Sequence, residues 1–422
     1  MGRGSVAAAV AVAAAMVLVA GAGPAAACRR QLAMEYDLPL RISVGPGDGR
    51  AFGRALASAI GSDCARSMDI VFLLDESGSV GAPAWVNATK FVAAAADAFD
   101  VGINRTRMGV VKFSTSATVS LSLASTTDYC NFAARALALP YKGGSTNTPL
   151  GLTTATTELA TNGRPKSMAY PKVMIVVTDG QSNMPCSPPC STTKTIEAAN
   201  AARKAGINVL ILTVGAANLF NPGEVSGIAG GDAGLQFALA SYKDILGTMI
   251  NTISNVACKQ PTIMDLVTVV NTTVVGNSSV YLAYMNVSGP LNLVANVSIG
   301  NVNLCFSYTN RNPSSAAGEN DGCAVLDPAT GNATKIITAY PSAASNYTVH
   351  VVCEGAGENE TISQFAFGVL PCQMKSLKPS ASASSLPQAG STCYSCPADE
   401  VMLASSGPYA GMCAAQCLSE HQ

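Results

Sequence analysis

The chain has 422 residues, of which 48% are hydrophobic and only 12% are charged, and its formal net charge is −1. This length is enough for two or three domains. No basic patch stands out and aromatic residues make up only 6%, so a nucleic-acid-binding surface is not expected.

The N-terminal residues are typical of an export signal. The stretch M-G-R-G carries a positive charge, an Ala/Val-rich run continues to about Ala22, and small residues precede Cys28. We therefore interpret residues 1–27 as a signal peptide; the alternatives are an uncleaved anchor or a lipid attached to Cys28. Because no later segment resembles a membrane span, we expect a secreted, extracellular or cell-surface protein.

Strands and helices alternate over residues 64–258, after a lead-in at 28–63 that shows no clear period. Continuous apolar strands include D-I-V-F-L-L-D, M-G-V-V-K-F, K-V-M-I-V-V-T and I-N-V-L-I-L-T-V-G, and A-T-V-S-L suits a short antiparallel edge. The last helix is expected to begin at Ser241, with Asp244 completing a capping-box-like start. This pattern predicts a doubly wound α/β fold with a mostly parallel sheet, in which ligands bind beyond the carboxyl ends of the strands.

The composition changes after Cys258. Residues 261–372 are rich in Val, Thr and Asn, in short stretches that Gly, Asn and Pro interrupt, so we expect an all-β, sandwich-like unit. Residues 373–392 are typical of a Ser/Pro-rich linker. The C-x₂-C-P and C-x₃-C groups of residues 393–417 predict a small disulfide-rich module, which resembles the ephrin-receptor-like type. A redox C-x₂-C is the alternative, but no thioredoxin-like βαβ unit surrounds it.

The fourteen cysteines and the glycosylation sequons indicate an oxidising, extracellular setting. We expect a bridge between Cys64 and Cys258, because the two ends of a domain often lie close together, and a small loop closed by Cys186 and Cys190. Cys130 then has Cys28 as a candidate partner, and the pairing of the C-terminal cysteines stays open. The predicted N-glycosylation sites are Asn87, Asn104, Asn271, Asn277, Asn286, Asn296, Asn332, Asn346 and Asn359.

Oxygen-bearing side chains follow two of the predicted strands. The stretch D-I-V-F-L-L-D-E-S-G-S supplies Asp75, Ser77 and Ser79, V-V-T-D-G supplies Asp179, and K-G-G-S-T-N-T between them supplies Thr146. Because parallel strands share one carboxyl edge, we expect these two carboxylates and three hydroxyls to meet there. Such hard oxygens suit Mg²⁺, with Mn²⁺ or Ca²⁺ as alternatives. The competing interpretation is that they make ordinary turn and cap hydrogen bonds.

These motifs, together with R-T-R-M-G-V-V-K-F-S, resemble the von Willebrand factor type A domain, also called the integrin I domain, over residues 69–258. The resemblance implies that the five residues form the family's metal-ion-dependent adhesion site (MIDAS), which binds a divalent cation and often receives a ligand carboxylate. It therefore implies an extracellular protein partner that offers an acidic side chain. The loop closed by Cys186 and Cys190 is not a general feature of the family, and we expect it to reshape the ligand surface.

Three classes of function are open to this sequence. The first is a secreted or cell-surface adhesion or matrix-binding protein that uses the metal, and the second is a metal-independent structural component of an extracellular matrix or cell wall. An enzyme is not expected, because the chain has only two histidines, His350 and His421, and no known catalytic motif. Trp85, the single tryptophan, is a candidate ligand contact, although a lone tryptophan early in a helix more often packs in the core.

Overall fold

The computed structural model of the protein describes residues 24–38, 66–246, 248–266, 269–275, 278–287, 291–339, 347–355, 362–371, 400–402 and 413–415. These residues form two compact units. The first contains the residues up to Gly163 together with Lys172–Cys258, and the second contains Arg164–Pro171 together with the residues from Lys259 onward. Most of the predicted signal peptide, the predicted linker and most of the cysteine-rich module lie outside the described residues. Within the described ranges, no helix has the length and apolar character that a membrane span requires.

A six-stranded sheet forms the centre of the first unit. Its strands are β1 (Asp69–Asp75), β2 (Arg107–Phe113), β3 (Ala117–Leu121), β4 (Lys172–Thr178), β5 (Ile207–Val214) and β6 (Gln236–Leu239). Their spatial order is β3-β2-β1-β4-β5-β6, and every neighbouring pair is parallel except β2 and β3. The predicted doubly wound, mostly parallel sheet with its antiparallel edge is therefore confirmed.

The strand order places the ends of β1 and β4 side by side at the carboxyl edge. All seven residues of β1 are buried, as expected for a sheet that is covered on both faces. Leu74 pairs with Val177, so Asp75 and Thr178 follow at the same level. The order reverses between β1 and β4, and such a switch point is where doubly wound sheets bind ligands.

Seven helices surround this sheet in the described part of the first unit. They are α1 (Pro24–Tyr36), α2 (Gly81–Ala96), α3 (Tyr129–Leu137), α4 (Thr148–Thr161), α5 (Cys190–Lys204), α6 (Pro222–Ile228) and α7 (Thr248–Cys258). The prediction that α7 begins at Ser241 was wrong. The Ser241 hydroxyl accepts from the Lys243 N–H at 3.2 Å, and the Asp244 N–H donates to the Ser241 carbonyl at 3.0 Å, so a turn forms there instead. Burial of Tyr242 in the core favours this turn over a helical start.

The helix α1 extends to Tyr36, into the lead-in whose sequence shows no clear period. Tertiary contacts stabilise α1, because a disulfide joins Cys28 to Cys130 and the Arg29 guanidinium lies 3.1 Å from the Asp97 carboxylate. This disulfide confirms the candidate pairing and occupies the sulfur that a lipid on Cys28 would need.

Two sheets share the core of the second unit in the described part of the chain. Their strands are β7 (Thr262–Met264), β8 (Val270–Val275), β9 (Ser279–Val287), β10 (Leu291–Ile299), β11 (Val302–Ser307), β12 (Gly322–Leu326), β13 (Thr334–Ala339), β14 (Tyr347–Gly355) and β15 (Ile362–Pro371). One sheet has the order β13-β10-β15-β8 and the other β12-β11-β14-β9-β7. Leu293 and Phe367 of the first sheet share one core with Tyr284 and Leu304 of the second, which confirms the sandwich-like prediction. A separate antiparallel pair, β16 (Glu400–Met402) and β17 (Cys413–Ala415), lies within the predicted cysteine-rich module.

The cysteines follow the predicted pairing only in part. The disulfide between Cys186 and Cys190 is confirmed. Cys258 is disulfide-bonded, while its expected partner Cys64 lies outside the described residues. In the second unit a further disulfide joins Cys305 to Cys323. Cys353 of β14 is a free, buried thiol, and burial raises its pKa and makes it unreactive.

Candidate metal centre

Asp75, the last residue of β1, is buried with 1% of its surface exposed. Its Oδ1 accepts a hydrogen bond from the backbone N–H of Ser77 at 2.8 Å, and its Oδ2 accepts one from the Thr178 hydroxyl at 2.7 Å. Loss of water raises the pKa of Asp75 to about 6; hydrogen bonds from Ser77 and Thr178 oppose this rise, and the charge of Asp179 adds to it.

A chain of hydroxyls connects this carboxylate to the end of β4. The Ser77 and Ser79 hydroxyl oxygens share a hydrogen bond at 3.1 Å, and the Ser79 hydroxyl donates to Asp179 Oδ1 at 2.9 Å. Burial raises the pKa of Asp179, and the hydrogen bond from Ser79 partly offsets that effect. Four of the five residues in the predicted site therefore belong to one hydrogen-bonded group.

Thr146, the fifth predicted ligand, is buried on a loop that contacts the D-E-S-G-S turn. The N–H of Gly78 donates to the carbonyl of Gly144 at 2.8 Å and joins the two loops. Gly144 has φ of +126°, and a Cβ there would lie 2.8 Å from the Thr115 hydroxyl, so the tight approach requires glycine. The structure thus places the loop that carries Thr146 against the turn that carries Ser77 and Ser79, and the binding of Thr146 to a metal stays a prediction.

A buried ion pair beneath the D-E-S-G-S turn supports it, and the sequence motifs did not predict this pair. Lys112 Nζ lies 2.8 Å from the Glu76 carboxylate and donates to the Pro140 carbonyl at 2.7 Å. Both side chains are almost fully buried. A single lysine within the otherwise apolar strand M-G-V-V-K-F was the available signal, because a buried lysine needs a charged or hydrogen-bonded partner.

Two aromatic side chains complete this support. The Tyr141 hydroxyl donates to the Ser77 carbonyl at 2.8 Å and accepts from the Gly81 N–H at 3.1 Å, which ties the turn to the start of α2. Trp85 is 3% exposed, and its indole N–H donates to the Leu139 carbonyl at 2.8 Å. The packing interpretation of Trp85 is therefore the correct one.

The donor set fits a hard divalent cation. The hydrogen bonds of the Asp75 and Asp179 side chains within the described residues come from neutral groups, and no cationic side chain is among these donors. Two carboxylates and several hydroxyls that converge at a partly buried edge match the oxygen ligands of Mg²⁺. The described residues contain no group of three or more His, Cys, Asp or Glu side chains arranged for a metal, so any binding here depends on the hydroxyls as well.

The predicted glycosylation sites differ in exposure. Those with exposed side chains are Asn104, Asn271, Asn286, Asn296 and Asn332. Asn87 lies within α2, and the hydroxyl of its sequon residue Thr89 is buried and donates to the Val86 carbonyl at 3.0 Å, an unfavourable setting for modification. Asn277, Asn346 and Asn359 lie outside the described residues.

The family model described as "von Willebrand factor type A domain" matches residues 69–251. Residues 69–251 form a von Willebrand factor type A domain. The match contains β1 to β6 and all five residues of the predicted site. The resemblance of the cysteine-rich tail to ephrin-receptor-like modules stays a prediction.

Three curated proteins are similar to part of this chain. Von Willebrand factor A domain-containing protein 2 of Homo sapiens is 34% identical over 119 residues, which are 28% of this chain and 16% of that protein. Integrin alpha-1 of Gallus gallus is 32% identical over 133 residues, covering 31% of this chain and 45% of that protein. Transmembrane cell adhesion receptor mua-3 of Caenorhabditis elegans is 27% identical over 198 residues, covering 46% of this chain and 5% of that protein. The chain therefore spans less than half of the length of each of these relatives.

Proposed function

We propose that the protein is a secreted or cell-surface adhesion or matrix-binding protein, which binds its partner through a divalent cation in the type A domain. The cation is held by Asp75, Ser77, Ser79, Thr146 and Asp179, and Mg²⁺ is the first choice. The observation that carries this proposal is the hydrogen-bonded group of two carboxylates and two serine hydroxyls at the switch point of the sheet.

The partner in this proposal is an extracellular protein that offers an acidic side chain. Only two of the five residues are anionic, and one of these carboxylates can hold a metal-bound water instead of the metal, so Mg²⁺ stays electrophilic enough to accept a carboxylate from outside. The site lies at a sheet edge where Ser79 is exposed, so such a carboxylate has access. The proposal assigns binding and no catalysis to this site.

The relatives support the adhesion role by what their names describe. One is called a cell adhesion receptor, and another is an integrin subunit. Export through the predicted signal peptide and glycosylation of exposed sequons belong to the same proposal. The disulfide between Cys28 and Cys130 supports an oxidising location.

A second candidate function is a structural component that needs no metal. It is favoured by one observation, namely that both oxygens of Asp75 already accept hydrogen bonds from Ser77 and Thr178. Hydrogen bonds from the protein itself therefore reach both oxygens of that carboxylate without a metal.

Titration separates the two candidates. The full chain, secreted from a eukaryotic host and freed of metal, is titrated with Mg²⁺ and then Mn²⁺ by calorimetry. Asp75→Ala removes a proposed ligand, while Asp128→Ala removes a carboxylate that caps α3 and lies outside the site. We expect binding by the parent and by Asp128→Ala and no binding by Asp75→Ala. Equal heats from all three proteins would leave only the structural role.

Partner binding needs a second assay. The secreted chain is immobilised and exposed to an extracellular matrix extract with Mg²⁺ or with EDTA, and the retained proteins are identified. Proteins that are retained only with Mg²⁺, and only by the parent chain, support cation-dependent adhesion. Identical retention by the parent and by Asp75→Ala would contradict it.

A further inference from the structure

The backbone of Thr146 is held by the segment that follows β4. The Thr146 N–H donates to Asn183 Oδ1 at 2.9 Å. Its carbonyl accepts from the N–H of Asn183 at 3.0 Å, from the N–H of Met184 at 3.2 Å and from the Ser182 hydroxyl at 3.2 Å. Both peptide groups of Thr146 thus bond to residues 182–184, although these residues lie far from Thr146 in the sequence.

A disulfide closes a short loop directly after this segment. Cys186 is bonded to Cys190, which is the first residue of α5, and the intervening residues are exposed. The Ser191 hydroxyl donates to the Ser182 carbonyl at 2.8 Å, and the Ser182 N–H donates to the buried Glu224 carboxylate at 3.1 Å. Residues 182–184 are therefore fixed between the end of β4, the disulfide and α6.

The neighbours of Thr146 are anchored elsewhere. The Ser145 N–H donates to the Thr115 hydroxyl at 3.0 Å, and the Asn147 N–H donates to the Ser114 carbonyl at 2.9 Å. The loop thus has attachments of its own to the β2–β3 turn. Loss of the Asn183 contacts is expected to free Thr146 without unfolding the loop, which separates positioning from stability.

We propose that Asn183 is a positioning residue of the cation site, and that the disulfide between Cys186 and Cys190 sets the cation affinity by holding Asn183 against Thr146. This inference rests on the proposed function, because it concerns the same site. It adds that the disulfide loop, which the family resemblance does not explain, has a role in binding.

The first test compares three variants of the full secreted chain by calorimetry with Mg²⁺. Asn183→Ala removes the acceptor of the Thr146 N–H, whereas Asn183→Asp keeps an acceptor there. We expect Asn183→Ala to weaken Mg²⁺ about 10-fold, as is usual when a supporting contact to a metal ligand is lost, and Asn183→Asp to retain the parent affinity or exceed it. The double variant Cys186→Ser with Cys190→Ser is expected to weaken Mg²⁺ by a similar factor. Unchanged affinity in Asn183→Ala would overturn the proposal.

The matched control is the double variant Cys305→Ser with Cys323→Ser, which removes the disulfide of the second unit and is expected to leave the affinity unchanged. Unfolding in urea, followed by the fluorescence of Trp85, monitors the stability of the first unit in each variant. The positioning role is contradicted if the Mg²⁺ affinity falls only in variants whose first unit also has a lower free energy of unfolding, and by a matching amount.

A second readout needs no metal. Hydrogen exchange of the metal-free chain is measured by mass spectrometry on peptides covering residues 143–150. We expect faster exchange there in Asn183→Ala and in the Cys186→Ser/Cys190→Ser variant, and unchanged exchange in the control. Unchanged exchange in all variants would contradict the proposal that residues 182–184 hold Thr146 in place. A parent chain that binds no cation would instead refute the proposed function, while the exchange data would still decide whether residues 182–184 hold Thr146.

Discussion

Each of the two units buries an ionisable group, but the charges that surround these two groups have opposite signs. In the first unit Asp75 lies next to a second carboxylate and several hydroxyls, and its pKa is raised to about 6. In the second unit His350 of β14 is buried, and loss of water together with the charge of Arg311 lowers its pKa to about 4. Its Nδ1 has no hydrogen-bond partner within the described residues.

This difference shows that burial alone does not create a binding site. Desolvation favours the neutral form of both groups, but only Asp75 has neighbours that add negative charge and oxygen donors. A cation is attracted to the first arrangement and repelled by the second, where Arg311 already carries positive charge. The following experiments test this contrast.

The largest expected effect is on cation binding. Asp75→Asn keeps the shape of the side chain and removes its charge, so we expect no measurable binding of Mg²⁺ at millimolar concentration. The metal-free variant is expected to have about the stability of the parent at pH 7, because removal of a desolvated charge offsets the loss of one hydrogen bond, which an amide nitrogen cannot accept. Calorimetry and urea unfolding measure the two quantities. A large loss of stability would show that the charge of Asp75 serves the fold.

The buried ion pair behind the site is expected to have the next largest effect. Lys112→Met leaves the Glu76 carboxylate buried without its cation and should lower the free energy of unfolding by about 3–5 kcal/mol. Adding Glu76→Gln should recover most of that loss. Trp85 fluorescence during urea unfolding reports this unit alone, since the chain has one tryptophan. Failure of the double variant to recover would mean that the pair does not act through charge.

Acid should destabilise the second unit through His350. Its folded pKa lies below the ordinary value of 6.5, so the unfolded chain takes up the proton first as pH falls. The free energy of unfolding therefore has its full value above about pH 6.5 and falls by up to about 3 kcal/mol as the pH is lowered toward 4. Hydrogen exchange of β14 peptides at pH 7 and pH 4.5, corrected for intrinsic rates, measures the decline. His350→Gln removes the titrating group and should flatten the dependence; an unchanged slope would assign it to other groups.

The smallest effect is expected at a helix cap remote from the site. Asp128 accepts a hydrogen bond from the Asn131 N–H at 3.0 Å at the start of α3. Asp128→Ala should cost about 1 kcal/mol of stability in the first unit and leave the Mg²⁺ affinity unchanged. Trp85 fluorescence and calorimetry provide both values. Weaker Mg²⁺ binding in this variant would show that general charge, rather than the local oxygen group, attracts the cation.

The second unit was harder to predict in detail than the first. Continuous apolar runs such as D-I-V-F-L-L-D define buried parallel strands, so the sheet of the first unit could be located from local pattern. Pairings between cysteines carry no local signal, and Cys353 proved to be a free thiol within the sandwich core. The false start of α7 at Ser241, in the first unit, has a different cause, since burial of Tyr242 outweighed a local capping pattern.

The sequence by itself determined the α/β fold of the first unit, the all-β character of the second and the five oxygen-bearing residues of the candidate site. Strand periodicity and motif spacing are local properties, and they are readable without contacts. Only the tertiary structure decided how those residues are supported. Ser79 bonds to Asp179 across 100 positions and Thr146 to Asn183 across 37, while Lys112 reaches Glu76 from the adjacent strand. Such contacts depend on which elements become neighbours in the folded chain, and no local pattern specifies that.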